Sequence, residues 1–493
     1  MNKKSLLTFL TFLLVGCSVS PTNTLPNKGS VTQEGLDVFP TSIDDTYVGD
    51  PMPFFDNGKM NVFYLQDGRN TIQGYHPINL MQTENYYEYE EKGTVIPFVN
   101  SIFEPDYALG TGSVIKDKDG LYHFYYTGHN ASKSSGLEYV EKIQHATSSD
   151  LINWTKHPED GFYGGHNDFR DPYVLYMEED NCYWMLVTTR HLNSGVLKLY
   201  KSTDLKHWNY DSVFYDNGNE TYNMECPTLI KYNNYWYLTF SEQGGHRVMH
   251  YRYTDDLSKP WIVPENDYLD DIGFYAGRLE KDDQGKMYAF GWCATKVGEF
   301  DQGDFDWGGN LVVHQIVQKT NGELGTKMVD TFKDKFNNEV GYQLISNKQQ
   351  VEKIELVNEG FNSKAIEGLS NNITRIEFTL KRTSDTGSCG ISFSSNGDNT
   401  VGPVAYEFNI ENKYLNYYNN IYGISDFQSP QLSMKMENAF SYDVDIVIDD
   451  QIVCVYVDDV LSLTTRIYDL RNGNISFYVN NSNVVFENIS FYE

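Results

Sequence analysis

The sequence predicts an all-β chain: a five-bladed β-propeller followed by a β-sandwich. Three observations carry that expectation. First, from about residue 44 onward, short aromatic and β-branched runs alternate with Asp/Asn/Gly turns, a strand-and-hairpin signal, and long amphipathic helices are hard to find. Second, the runs recur. MNVFYL starts at Met60, LYHFYY at Leu121, CYWMLV at Cys182, YWYLTF at Tyr235 and KMYAFG at Lys286, at steps of 61, 61, 53 and 51 residues. Third, another element keeps the same beat: SSDLINW ends at Trp154, STDLKHW at Trp208 and TDDLSKPW at Trp261. A period of 50–60 residues that carries several strands implies one four-stranded sheet per repeat, and five repeats imply five blades.

In chain order, Lys3 and Lys4 precede the apolar run Leu6–Val15, which is too short to span a bilayer and fits a signal peptide over 1–16. It ends Leu14-Val15-Gly16-Cys17, which resembles a bacterial lipobox. The implication is cleavage before Cys17, lipidation of that cysteine, and display on the outer side of the cell membrane through the lipid alone. Residues 17–43 are polar and Pro/Gly/Thr-rich at their start and read as a flexible tether. The propeller is expected over 44–335. Near 335 the beat stops, and 336–493 still alternates strand-like runs with polar turns, as a sandwich would.

Composition narrows the partners. The net charge of −30 repels phosphate backbones, so nucleic acid is excluded as a natural partner, while a neutral sugar or polymer stays open. Tyrosine, at 38 residues, suits strands and sugar-facing surfaces. Five cysteines follow Cys17; the number is odd and no CxxC occurs, so they read as small buried residues. No metal motif is present and no cofactor is implied. Oligomeric state is left open.

The repeat allows positions to be compared. Counting back twelve or thirteen residues from the third residue of each aromatic run gives Asp50, Thr111, Asp171, Glu225 and Ala276. Equivalent positions of a propeller form a ring about its axis, so three acids are expected to converge near the central channel. Like charges held together raise at least one pKa, and a paired acid and carboxylate is what glycoside hydrolysis requires.

These residues also carry a resemblance. Phe169-Arg170-Asp171-Pro172 resembles the RDP motif, and Met224-Glu225-Cys226-Pro227 the EC motif, of glycoside hydrolase family 32, the β-fructofuranosidases. Tyr47-Val48-Gly49-Asp50-Pro51 stands at the family's Asn-Asp-Pro-Asn-Gly signature, Gln66 at its substrate-contacting glutamine, and Thr111-Gly112-Ser113 at its small-residue site. Phe274-Tyr275-Ala276 and Gly291-Trp292 match FYA and GW, and Leu463–Tyr468 resembles a segment of the family's sandwich. The resemblance implies Asp50 as nucleophile at C2 of a fructosyl unit, Glu225 as acid and then base, and Asp171 as transition-state stabiliser. It implies Gln66, Thr111, Gly112, Ser113, Arg170, Tyr275 and Trp292 as substrate contacts, and sucrose or a fructan as substrate. The chain departs from the signature at Gly49, where the family has a sugar-contacting asparagine, and at Met52-Pro53. Two alternatives stay open: an arabinosidase or xylosidase like those of family 43, and a carbohydrate-binding surface lipoprotein without turnover. Tyr75, Tyr86, Tyr87 and Trp307 read as core aromatics more readily than as sugar platforms, and His76, His166 and His246 as loop or surface residues. Asp270 and Asp271 are expected at the surface.

Overall fold

The computed structural model describes residues 31–32, 38–44, 46–69, 76–218, 222–357, 359–421, 423, 426–427, 429–468, 470 and 473–493. The signal peptide over 1–16, the lipidation site Cys17 and Tyr75 lie outside the described residues.

Five antiparallel blades follow one another along the chain, the first and fifth joined in one sheet, and each begins with its inner strand: Tyr47–Asp56, Ala108–Lys116, Phe169–Met177, Met224–Tyr232 and Tyr275–Lys281. Successive inner strands lie side by side, and the fifth returns to the first, so the ring closes in sequence order. This is the five-bladed propeller. The two end blades are also stitched by one strand pairing, Gly309 with Val48.

The second echo in the sequence is the cement between blades. In each copy a hydroxyl (Ser148, Ser202, Thr254) accepts an N–H two residues on. The aspartate of the motif then caps the turn: Asp150 accepts from Ile152 and Asn153, Asp204 from Lys206 and His207, and Asp256 from Ser258. The turn delivers its tryptophan onto the preceding blade. Trp154 packs edge-on to Phe63, Trp208 to Tyr125 and Trp261 to Phe214. Burying one large aromatic per seam is what a stack of repeats needs, because no single blade can cover its own apolar face.

Beyond Lys327 and a short helix, Phe332–Lys335, two antiparallel sheets of seven and six strands enclose one apolar core. Its strand Leu461–Arg466 closes on the propeller: Arg466 donates to the carbonyls of Cys293 and Ala294, and Tyr468 accepts the Lys296 N–H at 3.0 Å.

Two expectations are corrected here. The tether does not run to residue 43: Val38 and Phe39 are fully buried, and their N–H groups donate to Asp449 at 3.1 and 2.9 Å, so this stretch is pinned by apolar burial against the sandwich. Nor are Asp270 and Asp271 at the surface. Asp270 is fully buried in the propeller–sandwich seam, accepting from Ser462 and Thr464, and Asp271 accepts the N–H of Ser433.

Candidate active site

One local device repeats in all five blades. Each inner strand pairs regularly up to Gly49, Gly110, Arg170, Glu225 and Tyr275, then loses register and resumes at Met52, Gly112, Tyr173, Thr228 and Arg278. These are β-bulges, which bend a strand and re-aim a side chain. Inside them Asp50, Asp171, Cys226 and Ala276 adopt φ of 40°, 55°, 53° and 52°. Left-handed backbone at non-glycine residues costs about 1–3 kcal/mol each and persists only where the surroundings enforce it. The next residue is Pro51, Gly112, Pro172, Pro227 or Gly277. Proline has no N–H for the broken ladder to orphan. Glycine is demanded sterically at the other two: a Cβ at Gly112 would stand 1.9 Å from the Tyr125 carbonyl oxygen, and one at Gly277 2.2 Å from Met249 Sδ.

The bulges correct the alignment made by counting. Turn lengths differ between blades, so a count of twelve residues, or thirteen for Asp171, equates Glu225 with Asp50 and Asp171. The backbone instead equates Cys226 with them and sets Glu225 one residue earlier. Two rings result. The deeper one holds Asp50, Thr111, Asp171, Cys226 and Ala276. The one nearer the strands' N-terminal ends holds Gly49, Gly110, Arg170, Glu225 and Tyr275.

Hydrogen bonds run within each ring. In the deeper one, Asp171 accepts from the Thr111 hydroxyl and, at 3.0 Å, from the Cys226 N–H, while its own N–H donates to Thr127. Asp50 accepts from Trp292 Nε1 at 3.2 Å. In the outer ring Glu225 Oε1 accepts from Arg170 at 2.9 and 3.2 Å, and Oε2 accepts from the Tyr275 hydroxyl at 2.8 Å. Arg170 also reaches Asp168 at 3.1 Å and Glu141 at 3.3 Å.

Charge crowding sets the protonation. Burial first, then the neighbouring Asp171 and Glu225, push the Asp50 carboxyl up to about 7. Burial likewise raises Glu225; the Arg170 cation opposes this and Asp171 adds to it. Glu225 can hold its proton without losing a partner. Both Arg170 bonds fall on Oε1, leaving Oε2 as the proton's seat. The Tyr275 hydroxyl is also placed to donate to the Glu242 carbonyl, at 3.2 Å. When Oε2 is bare, Tyr275 donates to it; when Oε2 is protonated, Tyr275 accepts and turns its own proton to Glu242.

A cavity of about 300 Å³ opens onto these groups, lined by Asp50, Thr111, Arg170, Asp171 and Glu225 among others. The other expected contacts lie elsewhere. Gln66 turns its amide to Thr46 at 2.9 Å. The Gly112 N–H points at Met52 Sδ, and the Ser113 hydroxyl bridges blades by donating to the Pro172 carbonyl and accepting from the Val174 N–H. Trp292, 1% exposed, supports Asp50 from within the core, with its ring edge-on to Tyr275. Tyr275 touches Glu225 and is itself covered by Arg247.

Residues that the sequence reading passed over, or read as core (Trp307) or as loop and surface (His76), take their place. Leu65, His76, His129, Glu141 and Trp307 line the cavity. They come from second and third strands and from loops, outside the inner-strand repeat, so no periodic signal marks them. Among the described residues no group of three or more His, Cys, Asp or Glu is placed to hold a metal ion.

A ring-closed propeller with acids at its axis, backed by a sandwich, defines the architectural class. Comparison makes the assignment. The description "Glycosyl hydrolases family 32 N-terminal domain" matches residues 44–326, and "Glycosyl hydrolases family 32 C terminal" matches 339–493. The chain belongs to glycoside hydrolase family 32. Raffinose invertase of Escherichia coli is 26% identical over 292 residues, covering 54% of this chain and 59% of the relative. Levanbiose-producing levanase of Geobacillus stearothermophilus is 28% identical over 277 residues, covering 52% and 59%. The matched stretch thus spans under two thirds of these relatives' length. Among solved structures, sucrose-6-phosphate hydrolase from Lactobacillus gasseri shares the fold with a TM-score of 0.71 at 18% identity, covering 93% of this chain and 92% of that one. The Bombyx mori GH32 β-fructofuranosidase BmSUC1 does so with 0.69 at 18% identity, covering 93% of each chain.

Proposed function

We propose that the protein hydrolyses β-fructofuranosidic bonds in sucrose or fructans with retention of configuration. The observation that carries this reading is the convergence of Asp50, Asp171 and Glu225 on one cavity, with Glu225 held in a setting that serves both of its protonation states. Invertases and levanases among the relatives support the substrate class.

In the first step an Asp50 oxygen attacks C2 of the fructosyl unit. The C2–O glycosidic bond breaks, and the departing oxygen takes the proton from Glu225. In the second step Glu225 takes a proton from water, the hydroxide oxygen bonds to C2, and the ester bond to Asp50 breaks. Asp171, fixed by Thr111 and the Cys226 N–H, holds a sugar hydroxyl and opposes the positive charge that develops at the ring. Glu225→Gln tests the assignment. Release of fructose from sucrose, inulin or levan should fall by about 10²–10⁴-fold with unchanged melting temperature; full activity in that variant removes Glu225 from the mechanism.

The lipobox-like Cys17 supports a further reading, that the enzyme is anchored by lipid outside the cell membrane. Metabolic labelling with a fatty acid, lost in Cys17→Ala, checks it.

A further inference from the structure

The departure at position 49 has a structural counterpart. In the outer ring three positions carry long side chains that interlock, Arg170, Glu225 and Tyr275, and two are glycines. At Gly110 an added Cβ would meet Thr127 Cβ at 3.0 Å. At Gly49 the space is already taken by another strand: an added Cβ would lie 2.2 Å from Trp307 Cη2 and 2.6 and 2.8 Å from two more of its ring carbons. The indole therefore occupies the place where any larger residue before Asp50 would project. Trp307 belongs to the strand Phe305–Gln318 and lines the cavity. It is braced on two sides, by the His76 ring at 4.2 Å between centroids and by Trp292 at 5.6 Å.

The cavity lining is consequently two-faced. Leu65 and Trp307, with the His76 ring stacked on the indole, line it from the first and last blades, and the charged or polar His129, Glu141 and Arg170 line it from the second and third. A sugar ring has the same division, a C–H face and a hydroxyl edge. Height along the axis says which ring meets the indole. Asp50 lies in the deeper ring, and Glu225, which must reach the departing oxygen, in the outer one. Trp307 packs where a side chain at Gly49 would project, at the ring position equivalent to Glu225 and one residue before Asp50.

We propose that Trp307, admitted by Gly49 and braced by His76, is a specificity-determining residue that takes the C–H face of the sugar unit carrying the departing oxygen. This rests on the fructosidase reading above. It means that the leaving unit is selected by ring stacking where the family signature would place an amide. Trp307→Ala should raise KM for sucrose and for a three-unit fructo-oligosaccharide by about 10-fold more than for methyl β-fructofuranoside, whose leaving group has no ring, with the larger change in KM rather than kcat. Trp307→Phe, which keeps a ring, should recover most of the loss. Gly49→Asn should depress kcat/KM, and combining it with Trp307→Ala should cost less than the product of the two single effects, because one substitution vacates the space the other needs. Equal KM changes for all three substrates, or strictly multiplicative effects in the double variant, overturn the proposal. Should Gly49→Asn fail to fold, the Ala/Phe pair at Trp307 decides alone. A wild type that releases sugar from no fructoside defeats the fructosidase reading instead. Calorimetric binding of the three-unit oligosaccharide to the Glu225→Gln protein, with and without Trp307→Ala, then judges the stacking: weaker binding without the indole upholds it, and equal or absent binding overturns it.

Discussion

Asp50, half-buried at the axis, and Asp270, fully buried in the seam, are both aspartates withdrawn from bulk water on the propeller, and their surroundings are opposite. Asp270, in the seam with the sandwich, is met by donors on every side: the N–H groups of Asp271 and Thr464 at 2.7 and 3.0 Å, the hydroxyls of Ser462 and Thr464 at 2.9 and 2.7 Å, and His314 Nε2 at 3.1 Å. Asp50, at the axis, receives the Trp292 N–H at 3.2 Å and faces two further carboxyls. Burial by itself therefore marks neither a site nor a scaffold. A buried charge matched by fixed donors joins two domains. A buried charge left short of donors and beside like charges is chemically poised.

The sharpest way to break this contrast is Asp50→Asn. Turnover should fall by at least about 10³-fold, as for loss of a nucleophile, and no covalent fructosyl adduct should accumulate. Folding should respond in the other direction. Because the folded protein raises this carboxyl from 3.8 to about 7, it binds the proton more tightly than the unfolded chain does. Its ionisation costs no stability below about pH 3.8 and its full share above about pH 7. Calorimetry from pH 4 to 8 should show this decline in the wild type and a shallower one in Asp50→Asn, because Glu91 and Glu280 are also pushed up to about 7 and keep their share; the variant should melt no lower than the wild type at pH 8. A lower melting temperature there would mean that Asp50 is a scaffold residue like Asp270.

Asp270→Ala should give the converse. The Thr464 N–H loses its carboxylate acceptor in a fully buried seam, and Ser462, Thr464 and His314 fall back on longer contacts, a loss of about 3 kcal/mol read by denaturant unfolding. The kcat/KM of the molecules that remain folded should stay within about threefold, because nothing in the cavity is touched. A large loss of kcat/KM without a loss of stability would show that the seam governs the site.

The smallest effect sharpens the contrast within the site itself. Arg170 lowers the Glu225 pKa against the burial that raises it. Arg170→Gln should therefore move the alkaline limb of the pH–kcat/KM profile, where Glu225 loses its working proton, to higher pH. A shift to lower pH would mean that Glu225 is not the group titrating there.

Much of this architecture was legible in the chain. The beat of aromatic runs forecasts five blades because each blade must bury the same face against the next. The S/T-x-D-L echo recurs because each seam needs the same capped turn and the same tryptophan. Asp50, Asp171 and Glu225 could be brought to one place by counting, because inner strands repeat around an axis. The register of Glu225 could not be counted, because turns of different length separate the strands. Gln66 and Ser113 sit near the right elements, yet their side chains are consumed by Thr46 and by the neighbouring blade.

What the amino-acid sequence determined by itself is what periodicity and local chemistry carry: strands, turns, blade number, the second domain and three acids near one axis. What the tertiary structure alone decided is which atoms meet. The bulges set Glu225 one step above Asp50, Tyr275 became the partner for either state of the acid, and Trp307, 258 positions from Gly49 in the chain, filled the space that glycine leaves. The physical reason is the range of the forces. Hydrogen-bonded turns and alternation act over a few residues and leave a trace in the sequence. Steric exclusion and charge crowding act between whatever closure of the ring brings together, and leave none.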